Sequence, residues 1–242
     1  MTTPLPSTDR GRPLLYCWAG CVEYGTAYQW QLRLHQARVG RGIDDCFLML
    51  THPPVYTAGT RTRPEHLPSP ETLRRYGARL YRSDRGGSIT YHGPGQLVGY
   101  GIVDLTRIEC DVHRYVRALE EAIIGALNFY GVTGKRHPQH TGVWIGQAKI
   151  ASIGIKIARR VTMHGFALNV RNSLDPLRAI SPCGITGGQM TSLATLRASV
   201  PPEEEIGARI VAHLARLLGY VDHRRCSAQA ILQASSAAIL TQ

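Results

Sequence analysis

The sequence contains no apolar run long enough to span a bilayer, although hydrophobic residues make up 43% of its 242 positions. Its first ten residues, Met1 to Arg10, lack the apolar core of a secretory signal and are rich in Pro, Thr and Ser. The expectation is a disordered tail over residues 1–13 on a cytoplasmic chain that does not engage a membrane. No Cys-x-x-Cys occurs, and the six cysteines, Cys17, Cys21, Cys46, Cys110, Cys183 and Cys226, form no paired framework. That spacing argues against both a disulfide scaffold and a zinc ribbon, and for reducing surroundings. No internal repeat or long linker appears. The glycine clusters Gly86-Gly87 and Gly93-Pro94-Gly95 make neither a phosphate loop with a following Lys-Ser/Thr nor a dinucleotide fingerprint.

The chain is long enough for one large domain with a substantial core. Its net charge of +11 comes mostly from arginines dispersed along the sequence rather than from one compact block. A basic surface suits nucleic acid through counterion release, or an acidic protein drawn in by a complementary field. Plain surface solubility accounts for much of the same charge.

Periodicity predicts a mixture of helices and strands. Thr26 to Val39 carries Ala27, Trp30, Leu34 and Ala37 at helical spacing. Ser69-Pro70-Glu71 starts a short helix to Tyr76, and Asp111 caps a longer one through Tyr130 that ends at Gly131. Pro201-Pro202-Glu203 opens what reads as the last helix, stopped at Gly219, with a C-terminal tail over 223–242. Cys46 to Leu50 reads as a buried strand, and residues 79–83, 88–91, 96–104, 142–146, 149–158 and 162–170 as extended. Residues 61–70, with three prolines, read as a loop. These elements give one α/β (α+β) domain over 14–222.

Several residue types at these places carry chemistry. Cys183, between Pro182 and Gly184, sits where a turn presents a side chain outward. A thiol is a good acyl acceptor only as thiolate, and an ordinary cysteine with a pKa of about 8.5 is mostly protonated at neutral pH. An ammonium nearby favours the charged form, and Lys149 is one candidate to supply it. Taken singly, each has a plainer reading: most cysteines are buried and inert, and a lysine at a strand edge is commonplace. Arg85-Gly86-Gly87 and Gly93-Pro94-Gly95 read as a tight hairpin or as a loop allowing close backbone approach. His92 and His164 read first as hydrogen-bonded structural histidines. His137 and His140 make a weak metal pair in a proline-bearing loop, and no metal is assigned. Cys17 and Cys21 have the spacing of one helix face, with burial the stronger reading for both. Trp30 and Trp144 read as core or pocket-wall residues.

Three blocks, in order, resemble the lipoyl(octanoyl) transferase family. One is Arg85-Gly86-Gly87-Ser88-Ile89-Thr90-Tyr91-His92-Gly93-Pro94-Gly95-Gln96-Leu97-Val98. The second runs from Gly142-Val143-Trp144 through Lys149 and Ser152-Ile153-Gly154 to His164-Gly165-Phe166-Ala167-Leu168-Asn169-Val170. The third is Pro182-Cys183-Gly184-Ile185 with Thr191-Ser192-Leu193. The likeness runs from about Tyr16 to Leu218. It implies a biotin/lipoate-protein-ligase-like fold, mixed sheets flanked by helices, and transfer of an octanoyl group from octanoyl-acyl carrier protein to a lysine. The acceptors it implies are the lipoyl domains of 2-oxoacid dehydrogenases and the glycine cleavage H protein. Cys183 and Lys149 become the catalytic pair, with Arg85 to His92, Ser152 to Gly154 and Gly165 to Ala167 lining the acyl site. No cofactor, metal or nucleic acid is implied, and a monomer is expected. Tyr100-Gly101-Ile102 departs from the family, which has proline in the middle. Two alternatives are an ATP-dependent lipoate or biotin ligase, which shares the fold but activates a free acid as an adenylate, and a basic nucleic-acid-binding module.

Overall fold

The apolar run at Cys46 and the alternating segments beyond Gly95 become neighbouring strands at the centre of a mixed sheet. A computed structural model of the chain describes residues 11–180 and 189–240. Cys183, with the rest of 181–188, lies outside the described residues, as do the first ten positions of the expected N-terminal tail.

In chain order the elements are β1 (Leu14–Cys21), α1 (Tyr24–Val39), β2 (Cys46–Thr51) and β3 (Val55–Ala58). A single 3-10 turn at Pro64–His66 interrupts the expected loop, followed by α2 (Pro70–Arg75), β4 (Arg79–Arg82), β5 (Ile89–His92) and β6 (Gln96–Ile102). Then come α3 (Val112–Phe129), β7 (Lys135–Arg136), β8 (Val143–Ile145), β9 (Ala148–Ala158) and β10 (Val161–Asn169). The remainder is α4 (Asp175–Arg178), β11 (Gln189–Met190), α5 (Leu193–Leu196), α6 (Glu203–Leu218), β12 (His223–Arg225) and α7 (Ala228–Leu240).

Among the described residues the large sheet runs β12-β1-β2-β6-β10-β9-β8-β7, with β11 added parallel to β9. A small sheet, β4-β3-β5, stands beside it. Both faces of the large sheet are covered, which explains why β2, β6 and β10 are buried along their whole length. Leu119, Ile123, Ile206, Ile210 and Leu214 of α3 and α6 pack with Phe47, Met49 and Phe166 on one face. Ala27, Leu34 and Ala37 of α1 and Ile231 of α7 pack with Leu48, Leu50 and Ala167 on the other.

Local signals set the helix ends. Ser69 accepts the Thr72 amide at 3.1 Å and Asp111 the Arg114 amide at 2.8 Å, each meeting one of the amides that an α-helix leaves without an internal partner. Gly219 closes α6 in the left-handed region, where a side chain would be strained.

Three expectations need correction. Cys17 and Cys21 lie on a strand, not a helix, and only Cys17 is buried; Cys21, at the end of β1, is exposed. Four residues apart, the two cysteines would share one face of a helix, but β1 is an irregularly buried strand whose pairing with β2 shifts between Trp18 and Cys21. The helix at 203–218 is not the last. The expected tail over 223–242 instead adds β12 parallel to β1 and the helix α7 against α1, through Ile231. The Ala-Ser-rich helix α7 is apolar over most of its surface, with little contrast between faces to read.

The packing of α7 is testable through its buried anchor. Ile231→Ala removes a side chain that is 5% exposed and should cost about 2 to 4 kcal/mol, read from urea unfolding. A loss under about 0.5 kcal/mol, the level of a surface substitution, would mean that α7 contributes nothing to the cooperative unit.

Candidate active site

A cleft of about 450 Å³ opens where the small sheet meets strands β9 and β10. Its floor is the paired strip Ser152-Ile153-Gly154 and Gly165-Phe166-Ala167, held in register as Ser152 opposite Ala167 and Gly154 opposite Gly165. Glycine is required on this strip: a Cβ on Gly165 would sit 2.2 Å from the Gly99 carbonyl oxygen.

The Arg85 block forms one wall. Thr60 and Arg61 donate their amides to the carbonyls of Arg85 and Gly87, and the Gly86 amide donates to Ile155 O, so backbone bonds clamp the turn from both sides. Gly59 lies so close beneath that a Cβ there would stand 2.5 Å from the Gly87 carbonyl oxygen. The Arg85 guanidinium lines the cleft but directs donors inward, to Thr57 Oγ1 at 2.9 Å and to the Gly86 carbonyl at 3.1 Å.

Beneath this wall runs a buried polar chain. Oε1 of Gln96 is 2.8 Å from His92 Nδ1, and its amide nitrogen donates to Asn169 Oδ1 at 3.0 Å. Asn169 donates to the carbonyl of Thr191, whose amide donates to the carbonyl of Lys149. Because Gln96 offers His92 an acceptor, Nδ1 carries the proton and Nε2 receives the Thr57 hydroxyl, whose oxygen in turn accepts from Arg85. Burial drives the His92 pKa well below its ordinary value, and it drives His52 down to about 4. His52 donates from Nδ1 to the Val22 carbonyl and accepts the Tyr100 hydroxyl at 2.7 Å. Both imidazoles are neutral at physiological pH.

Lys149 stands on the opposite side and is 8% exposed. Its Nζ lies 5.4 Å from the centroid of the Trp144 ring, within cation–π range. Gly142, at φ 126°, leaves no space behind it: a Cβ there would be 2.6 Å from Lys149 Cε and 2.4 Å from the Ala151 carbonyl oxygen. The Gly142 amide donates to Glu120 Oε1 at 2.9 Å, while Arg117 and Arg136 pair with the other oxygen of this fully buried carboxylate. Glu120 thereby fixes the backbone behind Lys149. Met190 of β11 pairs with Lys149, so the chain following the undescribed segment returns beside this lysine.

Of the residues expected from sequence, Lys149, Arg85 to Thr90, His92, Ser152 to Gly154 and Gly165 to Ala167 all line one cleft. Tyr91 does not; it packs on Tyr56 in the small sheet's core. Cys183 lies outside the described residues. The His137 and His140 rings lie 4.8 Å apart and tilted by 31° beside Trp144, and His140 lines the cleft. Sequence reasoning missed Tyr24 and Tyr28, far from the motif blocks, and Asp84, which directly precedes the Arg85 block but lies outside it. Tyr28 and Lys156 both donate to Asp84 Oδ2, and His164 donates to Oδ1 at 2.7 Å. With the His164 bond first and Lys156 next among the favourable contacts, the Asp84 carboxyl is held well below the usual carboxylate range. Burial lowers the His164 pKa despite this partner. The two directions agree if a neutral imidazole donates Nε2–H to an ionised carboxylate.

Residues 23–215 match the lipoyl protein ligase A/B catalytic-domain family. The octanoyltransferase of Chloroflexus aggregans is 44% identical over 210 residues, covering 85% of this chain and 95% of its own. The chain belongs to the octanoyltransferase family. That bears out the resemblance carried by the three sequence blocks, and with it the expected enzyme class: an acyltransferase for octanoyl groups in lipoate biosynthesis. The fold agrees. A crystal structure of lipoate-protein ligase A bound with ATP superposes with a TM-score of 0.70 at 14% identity, covering 96% of this chain and 95% of that one. Biotin protein ligase from Aquifex aeolicus superposes with a TM-score of 0.50 at 10% identity, covering 85% and 68%. At these identities the likeness speaks for the fold alone. No described helix is long and apolar enough to cross a membrane.

The buried neutral histidines predict a pH dependence of stability. In the unfolded chain they take up protons below about pH 6.5, whereas the folded protein resists until near pH 4 for His52. The unfolded state therefore binds more protons in that window, and stability falls as pH drops from about 6.5 towards 4. His52 alone should account for on the order of 3 kcal/mol. Urea unfolding across pH 7 to 4.5 reads this directly, and a flat profile would contradict neutral, buried imidazoles.

Proposed function

We propose that this octanoyltransferase takes its acyl group from octanoyl-acyl carrier protein, holds it as a thioester on Cys183, and passes it to a lysine of a lipoyl domain. The observation that carries the reading is Lys149, fixed at one end of a cleft walled by the Arg85 block. Lys149 favours the thiolate form of Cys183, and the thiolate attacks the carbonyl of the donor thioester. A new carbon–sulfur bond forms, the bond to the phosphopantetheine sulfur breaks, and that sulfur leaves as a thiol with the proton that the Lys149 ammonium gives up, which leaves Lys149 neutral. The acceptor amine then attacks the octanoyl-Cys183 carbonyl. An amide bond forms, the Cys183 sulfur is released, and Lys149 takes the proton that the amine gives up. Gln189, six positions after Cys183, pairs with Ala148 next to Lys149, which supports joining the two residues in one site.

The acceptors are the lipoyl domains of 2-oxoacid dehydrogenases and the glycine cleavage H protein. Arg61 and Arg63 are exposed at the cleft, and Arg74 and Arg75 are exposed on nearby α2, a basic surface suited to an acidic carrier. The ATP-dependent alternative shares only the fold, and no phosphate-binding glycine motif accompanies it.

Intact mass after incubation with octanoyl-acyl carrier protein tests the mechanism. The wild type should gain one octanoyl group, and Cys183→Ala should gain none while losing at least about a thousandfold in transfer. Normal transfer by Cys183→Ala would overturn the thioester route. Lys149→Arg keeps the charge but cannot readily act as a base, so adduct formation should survive better than onward transfer. Equal loss in both steps would remove the base role. Reversing Arg61, Arg63, Arg74 and Arg75 together should slow reaction with the carrier protein far more than with a small octanoyl thioester, and flatten its salt dependence. Matching losses with both donors would exclude these arginines from docking.

A further inference from the structure

The cleft has two distinct ends along strands β9 and β10. Lys149 marks one. Six residues further along β9, Ile155 pairs with His164, a separation of about 20 Å of strand. Between them lies the glycine-bearing floor, and at the far end stands a side chain held with unusual rigidity.

His164 lines the cleft, is 1% exposed, and has a left-handed backbone with φ 58°. A residue other than glycine persists there only when its surroundings impose it. Here the impositions are visible. The His164 amide donates to Gln31 Oε1 at 2.8 Å. Its Nε2 donates to Asp84 Oδ1, the Tyr28 ring stacks at 5.8 Å and 14°, and the Tyr100 ring meets it edge-on at 6.1 Å. Asp84 is itself held by Tyr28 at 2.9 Å and by Lys156 at 2.6 Å. The Gly86 amide, bonded to the Ile155 carbonyl, brings the Arg85 turn against the same end.

We propose that His164, locked by Asp84, is the end stop of the acyl cleft and the residue that sets acyl-chain length. The proposal rests on the reading above that the reacting carbonyl lies at Lys149. An extended eight-carbon chain spans about 9 Å, and the thioester and the reach of Lys149 occupy the rest of the strip. Further methylenes press on an imidazole that cannot swing aside. They also meet Nδ1 of that ring, a buried polar atom with no hydrogen-bond partner among the described residues, which a methylene cannot satisfy. A longer chain is therefore refused by shape and by polarity together.

The test uses alkanamides of six, eight, ten and twelve carbons, titrated calorimetrically into the full chain. Amides do not acylate the protein, so the titration reads the cleft independently of Cys183. A failure to form the octanoyl adduct would sink the transfer mechanism and leave this measurement standing. Wild-type affinity should rise with length to eight carbons and fall beyond; a continuous rise to twelve would overturn the proposal whatever the variants do. His164→Asn keeps a residue that tolerates the left-handed backbone but shortens the stop, and His164→Gly removes it. Each should raise affinity for decanamide relative to octanamide at least tenfold, with thermal unfolding confirming a folded protein. If one variant fails to fold, the other decides. A folded variant whose break stays at eight carbons would show that His164 is only structural.

Discussion

The hydrogen bonds leaving Thr57 are the constraint on which the cleft depends. Its hydroxyl accepts from Arg85 and donates to His92, while its carbonyl takes a second Arg85 donor. From His92 the bonding continues through Gln96 and Asn169 to Thr191 and the backbone of Lys149. Nearly every member is buried, so each unmade bond would carry the full desolvation cost of its groups. Buried polar chains tolerate few alternative arrangements, because slipping one link orphans the next. The small sheet, the Arg85 turn and the β9 edge are thus fixed relative to one another by chemistry as well as by apolar packing.

This division of labour changes the meaning of the most visible motif. The resemblance places Arg85 among the residues that line the acyl site. In the structure its fork is directed to Thr57 and to the carbonyl of its neighbour, shaping the turn that forms the wall. Those bonds hold the backbone of this motif at the cleft wall, and the glycines after Arg85 permit the close approach.

Much of the fold was legible because its signals are local. The helix caps at Ser69 and Asp111, the stop at Gly219, and the alternation along 149–158 each depend on residues a few positions apart. The strand β1 and the terminal helix α7 were not legible for the opposite reason: β1 is buried irregularly, and α7 is defined by what it covers on α1. The same distinction applies at the site. Lys149, the Arg85 block and the strips 152–154 and 165–167 sit inside continuous motifs and could be named. Tyr24, Tyr28 and Asp84 could not, since only the tertiary fold brings α1 and the turn before Arg85 to His164. Tyr91 shows the limit of a motif, for it packs on Tyr56 in the core of the small sheet while its neighbours in the motif line the cleft.

The glycine at 142 has a consequence for the energetics of Lys149. A lysine in solution explores many rotamers, and holding one in place costs on the order of 2 kcal/mol. With Gly142 pressed against its Cε and the Trp144 ring near its Nζ, that freedom is already lost when the chain folds. The ordering cost is then charged to the stability of the protein and not to each turnover, so an ammonium that meets a reacting group here arrives without a search.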